Sequence, residues 1–375
     1  MLFNVCALYI KIMNNENQTI HKSDDNLTIY GWNEKLNQLK QESIYSTLAH
    51  GRVSIVHRTC YEVISGNGLF QCELTGNMMY GKSDDELPCT GDWVIFQPFD
   101  EHKGIIVDRL PRERTLYRKK SGTVADKQAI ASYVDKAFIV QSLDDNFNVR
   151  RVERFMVQIM EENISSVLVL NKADLDFDRQ SVEEQIKHIS SQIPVFFTSI
   201  HQLETIVRLR KSISEGETVV FVGSSGVGKS SLVNALCEKP VLLTSDISLS
   251  TGKGRHTSTR REMVLMDSSG VLIDTPGVRE FGLAIDNPDS LAEVLEISDY
   301  AELCRFKDCK HINEPGCAVI EAVNSGALDS KVYESYLKLR REAWHFSASE
   351  HEKRKKEKSF TKLVEEVKNR KDANR

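Results

Sequence analysis

The sequence predicts three structural parts in the order β-barrel, α/β domain on a parallel sheet, and helical segment around a metal site. Three observations lead to this prediction. Short strand-like runs follow one another after residue 49, apolar strands then alternate with amphipathic helices, and cysteines cluster near residue 310. A chain of 375 residues is also longer than one core of usual size, so two or three domains are expected.

The overall composition is that of an ordinary globular chain, with 40% hydrophobic and 27% charged residues. Its formal net charge is −5, so any contact with nucleic acid has to come from local basic patches. No apolar run reaches the roughly 18 residues of a membrane span, and the apolar first residues lack the features of a signal peptide. Most of the 8 cysteines are scattered, which suits a reducing compartment. We therefore expect a soluble cytoplasmic protein with no membrane partner.

The first 120 residues are predicted to contain a leader and a barrel. Residues 1–48 are polar, and we expect a mobile leader with one short helix. Residues 49–120 contain β-rich runs broken by turn residues, which favours a small barrel of the OB type. A basic stretch follows the last of these strands and is expected to add positive charge beside the barrel, through Arg109, Arg112, Arg114, Arg118, Lys119 and Lys120.

Residues 121–286 show the alternation of strands and helices that indicates a parallel sheet covered by helices. Each apolar strand ends in polar or glycine-rich residues, and in such sheets ligands bind at the carboxyl ends of the strands. The predicted strands are KAFIVQSL, SSVLVLNKAD, IPVFFTSI, ETVVFVGSSG and GVLIDTPG.

A phosphate-binding loop is predicted after the strand TVVFV. The segment Gly223–Ser230 fits the pattern G-x-x-x-x-G-K-[ST] and precedes a helical run, the context that this motif requires. Its glycines let backbone N–H groups surround a phosphate, Lys229 adds charge, and the Ser230 hydroxyl can ligate Mg²⁺. The residues predicted to bind phosphate are Gly223, Ser224, Ser225, Gly226, Val227, Gly228, Lys229, Ser230, Ser231 and Gly277.

Asp274-Thr275-Pro276-Gly277 also follows an apolar strand, about fifty residues after the phosphate loop. Asp274 is expected to hold the Mg²⁺ shell, and the Gly277 N–H to contact the γ-phosphate. A glycine-containing basic loop at 252–259 lies between the two motifs, where a mobile switch would offer a hydroxyl to the metal. The predicted magnesium ligands are Ser230, Thr257 and Asp274, with Ser258 as the alternative to Thr257.

Val278 follows this motif, and a valine cannot orient an attacking water. Slow intrinsic hydrolysis is therefore expected. His256 is the candidate catalytic residue, because a histidine can polarise water near neutral pH. The alternative is that His256 belongs to a basic loop that binds RNA phosphate.

Asn171-Lys172-Ala173-Asp174 is predicted to select guanine. The carboxylate of Asp174 can accept hydrogen bonds from N1–H and from the N2 amino group, whereas adenine would leave a buried charge unpaired. Asn171 is expected to buttress the loops and the Lys172 stem to pack along the base. Ser199, after the next strand, is expected to present a backbone N–H to guanine O6.

The order of these motifs is unusual, because the guanine motif precedes the phosphate loop by about fifty residues. A parallel-sheet domain often has its termini close together, so a circular permutation preserves the site. The predicted fold class is thus an α/β P-loop G domain, circularly permuted, with an N-terminal OB-type barrel and a C-terminal helical zinc-binding domain.

The C-terminal part, residues 287–375, contains a cluster of metal-binding side chains. Three thiolates and one imidazole within fourteen residues make a closed tetrahedral site without an open position for catalysis. We expect one structural zinc ion, beside the Mg²⁺ that accompanies GTP. The predicted zinc ligands are Cys304, Cys309, His311 and Cys317.

The combination of these motifs resembles the ribosome small-subunit-dependent GTPase A family, over about residues 51–343. The resemblance is carried by the barrel, NKAD, GSSGVGKSSL, GKGRHTST, DTPG and CRFKDCKHINEPGCAV. It implies a factor for late maturation of the 30S subunit whose barrel and zinc domain contact 16S rRNA and whose GTP hydrolysis to GDP is stimulated by the subunit. The chain departs from the family at Ser258, where a threonine is usual, at Tyr133, where an asparagine is usual, and in its longer leader.

Without the resemblance, the residues support RNA binding only moderately. OB-type barrels often bind single strands, and the tail residues Lys353–Lys356 could add phosphate contacts or simply form a solvated helix face. A nucleotide-gated protein–protein switch without RNA contact is the alternative. In either case we expect a monomer.

Overall fold

The computed structural model describes residues 25–80, 82–83, 85–119, 127–238, 262–266, 270–273 and 289–347. The predicted residues His256, Thr257, Ser258, Asp274 and Gly277, and the basic tail, lie outside these ranges.

The described part of the leader is folded onto the rest of the molecule. It consists of a 3-10 helix, Asp25–Tyr30, and helix α1, Glu34–Glu42, which begins after Asn33 because the Asn33 side chain accepts a hydrogen bond from the Leu36 N–H at 3.1 Å. Leu27, Trp32 and Leu36 are buried in a core that they share with barrel residues. The predicted short helix is present as α1. Residues 25–42 are nevertheless packed onto the molecule and do not form a mobile leader, because these three apolar side chains of a mostly polar segment reach one core.

Five strands close into a barrel in the order β1-β2-β3-β5-β4. Strands β3 and β5 are parallel and the other neighbours antiparallel, which is an OB-type arrangement. Inward-facing apolar residues such as Val63 and Phe96 fill the interior, and the short helix α2 adds Met78 to this core. The bounds are β1 Ala49–Val56, β2 Tyr61–Ser65, β3 Gly68–Leu74, α2 Gly76–Met79, β4 Trp93–Asp100 and β5 Lys103–Arg109.

A two-stranded ribbon connects the barrel to the parallel sheet. Its strands, β6 Leu116–Lys119 and β7 Lys127–Ala131, are antiparallel and lie on either side of the boundary predicted at residue 120. The basic residues that precede the ribbon are largely occupied by internal contacts. The Arg112 side chain, which is 7% exposed, pairs with Asp92 at 2.6 Å, and Arg114 pairs with Asp135 at 3.0 Å. The positive charge predicted beside the barrel is therefore offset at these two arginines, because each is paired with a carboxylate.

The central sheet has six strands in the order β10-β9-β8-β11-β13-β12. All neighbours are parallel except the edge pair β12 and β13. The strands are β8 Lys136–Ser142, β9 Ser165–Asn171, β10 Val195–Thr198, β11 Thr218–Val222, β12 Met263–Leu265 and β13 Val271–Ile273. The helices of this region are α3 Val149–Glu161, α4 Arg179–Gln185, α5 Lys187–Ser190, α6 Leu203–Lys211 and α7 Lys229–Leu236.

The C-terminal helices share a hydrophobic core with one face of the central sheet. Helix α3 lies between them, and Val152 and Phe155 from this helix join the same cluster as Val319 and Leu339. The helices are α8 Asp289–Val294, α9 Ser298–Ala301, α10 Ala318–Ser325 and α11 Ser330–Ser347. None of the described helices is long and apolar enough to cross a membrane.

The junction between barrel and sheet is built around Arg52, whose side chain is almost completely buried. Its guanidinium donates to the Gly91 carbonyl in the barrel at 3.0 Å and to the Thr218 hydroxyl on β11 at 2.9 Å. It also contacts the carbonyl of Tyr30 in the leader. Tyr133, also at this junction, has a φ of 53°, a backbone conformation that asparagine adopts more readily than tyrosine.

Candidate nucleotide site and metal centre

The predicted nucleotide-binding residues meet at the carboxyl edge of the central sheet. Asn171, at the end of β9, is in register with Ser142 of β8 and Thr198 of β10. The phosphate loop follows β11, which neighbours β8. Strand β13 ends at Ile273, the residue before Asp274, on the other side of β11. Parallel strands therefore bring segments far apart in the chain to one edge, as ligand-binding α/β sheets do.

The phosphate loop has a backbone that requires glycine at defined positions. Gly223 has a φ of 151°, and a Cβ there would lie 2.4 Å from the Val140 carbonyl oxygen. Gly228 has a φ of 90°, and a Cβ there would lie 2.4 Å from Nδ2 of Asn171. The Lys229 ammonium donates to the carbonyls of Gly223 and Ser224, at 2.8 and 2.7 Å. Because the loop leads into α7 at Lys229, the N-terminus of this helix adds a field that favours anions.

The remaining predicted phosphate-binding residues lie on the same loop and the first turn of α7. Ser225 and Gly226 are exposed at the turn of the loop, where a ligand can reach their backbone N–H groups, and Val227 is buried beneath it. Ser230 and Ser231 are half-buried in the first turn of α7.

Asn171 connects the predicted guanine motif to the phosphate loop. Its side-chain Nδ2 donates to the Val227 carbonyl at 2.9 Å, and its Oδ1 accepts from the Thr198 hydroxyl at 3.2 Å. The Asn171 side chain is buried, so both hydrogen bonds are shielded from water. It therefore fixes the loop relative to the ends of β9 and β10.

Asp174 is exposed and is held by Ser199. The Ser199 hydroxyl donates to Oδ1 of Asp174 at 2.5 Å, and this hydrogen bond lowers the pKa of the Asp174 carboxyl. The carboxylate thus stays ionised and is an acceptor, as pairing with guanine requires. The Ser199 N–H donates to the Thr205 hydroxyl at 3.0 Å, and its predicted contact with guanine O6 stays a prediction.

Lys172 pairs with Asp144, a residue that the sequence analysis missed. The Lys172 ammonium lies 2.8 Å from Oδ2 of Asp144. Partial burial raises the pKa of Asp144, but hydrogen bonds from Lys172, the Ser142 hydroxyl and the Asn146 N–H outweigh this and lower it to about 2. The position of Asp144 directly after a predicted strand was the available signal, since such residues face the ligand edge.

The predicted metal ligands converge at one point. The ligand atoms of Cys304, Cys309, His311 and Cys317 all lie within 4.8 Å of one another. The sulfurs of Cys304 and Cys317 are each 3.5 Å from Nδ1 of His311 and 3.9 Å from each other. A tetrahedral ion with Zn–S and Zn–N bonds of about 2.3 and 2.1 Å has ligand separations of about 3.6 to 3.8 Å. The cluster can therefore hold one metal ion with little rearrangement.

The loop that carries these ligands is stabilised by two side chains that the sequence did not reveal. The Glu314 carboxylate accepts the N–H groups of Ile312, Lys310 and Asn313, and these hydrogen bonds lower its pKa to about 2. The Tyr333 hydroxyl on α11 donates to the His311 carbonyl at 2.6 Å. Burial lowers the pKa of His311, which keeps its imidazole in the neutral form that binds metals.

The sheet order and the positions of the two motifs define a class of protein. A phosphate loop after β11 and a base-recognition motif after β9, reversed along the chain and preceded by a closed barrel, form a circularly permuted P-loop GTPase. The sequence profile of the RsgA GTPase family matches residues 109–284. A profile of ABC transporters also matches, over residues 206–371, a span that includes the same phosphate loop.

Individual proteins named RsgA are similar to this chain over most of its length. A protein of Bacteroides thetaiotaomicron named small ribosomal subunit biogenesis GTPase RsgA 1 is 76% identical over 96% of this chain and 99% of its own length. A protein of Methanosarcina acetivorans named small ribosomal subunit biogenesis GTPase RsgA is 38% identical over 87% of this chain and 89% of its own length.

Solved structures show the same architecture. The crystal structure of YjeQ from Thermotoga maritima superposes with a TM-score of 0.59 at 27% identity, covering 79% of this chain and 98% of that one. The structure of YloQ, described as a circularly permuted GTPase, has a TM-score of 0.59 at 21% identity, with 80% and 97% covered, and supports the fold alone. The chain belongs to the RsgA GTPase family. It is a GTP hydrolase, and its nucleotide chemistry uses Mg²⁺.

Proposed function

We propose that this GTPase acts in late maturation of the 30S ribosomal subunit, where it binds 16S rRNA and hydrolyses GTP to GDP and phosphate with stimulation by the subunit. The observation that carries the proposal is the 76% identity over 96% of the chain with a protein named for small-subunit biogenesis. A cytoplasmic monomer fits this role, since the subunit rather than a second copy supplies the partner.

The predicted nucleotide-binding residues suit each step of GTP binding and hydrolysis. Asp174 would pair with N1–H and N2 of guanine, and Asn171, Lys172 and Ser199 would hold the base-recognition loops. Mg²⁺ would neutralise charge on the phosphates, held by Ser230, Thr257 and Asp274. Gly277 would contact the γ-phosphate and His256 would polarise the attacking water. The phosphate loop, Gly223–Ser231, would hold the α- and β-phosphates.

We propose that the ion in the C-terminal cluster is a structural zinc ion. Three thiols and one imidazole are a donor set that favours zinc, and all four positions of a tetrahedron are filled by protein atoms. Residues 287–375 would form the zinc-binding and helical C-terminal domain, beside a leader at 1–48, a barrel at 49–120 and a G domain at 121–286.

Two surfaces support contact with RNA. On the barrel, Phe99, Ile105 and Leu69 project from the neighbouring strands β4, β5 and β3, and Phe99 is 62% exposed. Beside the metal cluster, Phe306 is 45% exposed, with the Arg305 guanidinium carbon 5.5 Å from its ring centroid. Exposed aromatic rings are suited to stacking on unpaired bases, and beside the metal cluster Arg305 adds positive charge to such a ring.

The test is GTP hydrolysis with and without purified 30S subunits, at low and high salt, with 50S subunits as the specificity control. We expect stimulation by 30S alone, and a decline of this stimulation as salt rises, because RNA contacts release counterions. Phe99→Ala should weaken 30S binding without changing intrinsic hydrolysis, whereas Leu203→Ala, which removes an exposed side chain from α6, should change neither. Salt-insensitive stimulation by a ribosomal protein free of RNA would instead support the nucleotide-gated protein switch.

A further inference from the structure

Arg151 contacts the phosphate loop from outside the loop's own motif. It lies in the first turn of α3, and its Nη1 donates to the Ser224 hydroxyl at 2.9 Å. The carbonyl of the same residue, Ser224, accepts from the Lys229 ammonium at 2.7 Å. The second residue of the loop is therefore held from two sides, by one arginine through its side chain and by one lysine through its backbone.

The charge of Arg151 is directed at the loop, in contrast to that of its neighbours on α3. Arg150 pairs with Glu334 at 3.6 Å and Arg154 pairs with Glu342 at 2.8 Å, both on α11. Within the ranges that the structure describes, no ion pair connects Arg151 to a carboxylate; its other acceptor is the Asn146 carbonyl at 3.4 Å. A guanidinium placed in this way adds positive potential where phosphate oxygens would bind.

The N-terminal turn of α3 is held in place by hydrogen bonds, and these fix the position from which the Arg151 side chain extends to the loop. The Asn148 side chain caps the helix by accepting the Arg151 N–H at 3.2 Å. Two residues after Arg151, the buried Glu153 carboxylate contacts His188 at 2.9 Å and the Ser335 hydroxyl. The helix is thus fixed to α5 and α11 before it offers Arg151 to the loop.

We propose that Arg151 is a positioning residue for the nucleotide's phosphates, acting through Ser224 to hold the phosphate loop in the shape that accepts them. This inference rests on the proposed GTP site. Because Arg151 contacts the loop through Ser224 and touches no reacting group, we expect its loss to act on binding: it raises KM and weakens GTP and GDP binding together, while kcat changes little.

The test measures Kd for GTP and GDP, and KM and kcat for hydrolysis, in the full-length protein. Arg151→Ala should weaken binding of both nucleotides and raise KM about tenfold, the size expected for one charge-assisted hydrogen bond. Arg151→Lys should retain part of the nucleotide affinity, since lysine keeps the positive charge. Ser224→Ala should weaken nucleotide binding about as much as Arg151→Ala does. The double variant, Arg151→Ala with Ser224→Ala, should bind nucleotide no more weakly than Arg151→Ala alone. Arg150→Ala, one residue away, is the matched control and should bind as the wild type does.

Three results would overturn the proposal. These are nucleotide binding by Arg151→Ala equal to that of Arg150→Ala, additive losses in the double variant, and a fall in kcat at unchanged KM, which indicates less active protein. Ser224→Ala and Arg151→Lys decide the question even if Arg151→Ala folds poorly. Failure of the wild type to bind guanine nucleotides would contradict the proposed GTP site itself, so the two failures are distinguishable.

Discussion

The side-chain amide of Asn171 donates a hydrogen bond to the carbonyl oxygen of Val227, 2.9 Å away. This contact joins the end of β9 to the phosphate loop across 56 residues of sequence. It is possible because Gly228 has no Cβ where the amide lies. The guanine motif and the phosphate loop, which occur in reversed order along this chain, are thus held together directly in the folded structure.

Replacing Gly228 by alanine should disrupt the hydrogen bond between Asn171 and Val227. The new Cβ would lie 2.4 Å from Nδ2 of Asn171, so the amide has to move and leave the Val227 carbonyl unpaired. We expect a loss of about 2 kcal/mol in the free energy of unfolding without nucleotide, from overpacking and a lost buried hydrogen bond.

The control is Gly226→Ala. Gly226 also has a positive φ, of 81°, but nothing lies within 4 Å of a Cβ built there. Urea unfolding of both variants should show the larger loss for Gly228→Ala; equal losses would mean that backbone strain alone, and not the Asn171 contact, sets the cost.

Asp174→Asn should change the base that the site prefers. The amide cannot accept both donors of guanine, but it can accept N1–H and donate to the 2-carbonyl of xanthine. We expect about a hundredfold weaker GTP binding, or more, with a gain in affinity for xanthosine triphosphate. Competition binding measures both. Asp176→Asn, at an exposed carboxylate two residues on, should leave the preference unchanged, and a variant that loses GTP without gaining the xanthine nucleotide would count against base pairing by Asp174.

The metal cluster should depend on the Tyr333 hydroxyl. Its hydrogen bond to the His311 carbonyl holds the backbone of one ligand in place, and outer-shell contacts at metal sites typically contribute about tenfold or more to metal affinity. Titration with a chromophoric chelator should show one zinc ion per chain and about tenfold weaker retention in Tyr333→Phe. Tyr300→Phe removes a hydroxyl that bonds to the Ala327 carbonyl instead, and it should retain zinc normally.

Stability should fall as the pH drops below about 6.5, in part because of His50. Burial, with a smaller contribution from Lys40, lowers the pKa of His50 from 6.5 to about 3. Between these values the unfolded chain binds a proton at His50 and the folded chain does not, so protonation favours unfolding. The slope from this residue is at most about 1.4 kcal/mol per pH unit.

Urea unfolding at several pH values between 7.5 and 4.5 tests this point. His50→Phe, which keeps a ring against Trp32, should lose less stability on acidification than the wild type. Parallel slopes for the two proteins would show that His50 is not the cause.

The leader should stabilise the whole molecule. Trp32 packs 4.9 Å from Trp93 of the barrel, measured between ring centroids, and is buried in the core that joins leader and barrel. Trp32→Ala should therefore cost about 3 to 5 kcal/mol of unfolding free energy. Gln38→Ala, on the exposed side of α1, should cost little. A Trp32→Ala variant as stable as Gln38→Ala would mean that the leader is dispensable.

The permuted fold and the metal cluster were predictable because their signals are local. A phosphate loop needs glycine and lysine at fixed spacing, and four metal-ligating side chains within fourteen residues are close enough in sequence to surround one ion. The OB-type barrel was predictable from strands separated by turns, and the strand order of the structure confirms it.

Other features could not be predicted because they join residues distant in sequence. The ion pair of Arg112 with Asp92 depends on the path of the chain after β5. The sequence around a charged residue does not reveal which residue it pairs with. The same holds for Asp144 beside Lys172 and for Arg151 beside Ser224.

By itself, then, the sequence determined the chemistry that this protein can carry, because motifs such as Asn171–Asp174 and Gly223–Ser230 depend on residue type and local backbone. The tertiary structure alone decided how those motifs are positioned relative to one another and which charges remain available. The physical reason is that a buried hydrogen bond or ion pair, such as that of Asn171 with Val227, forms only when packing has brought both partners out of water.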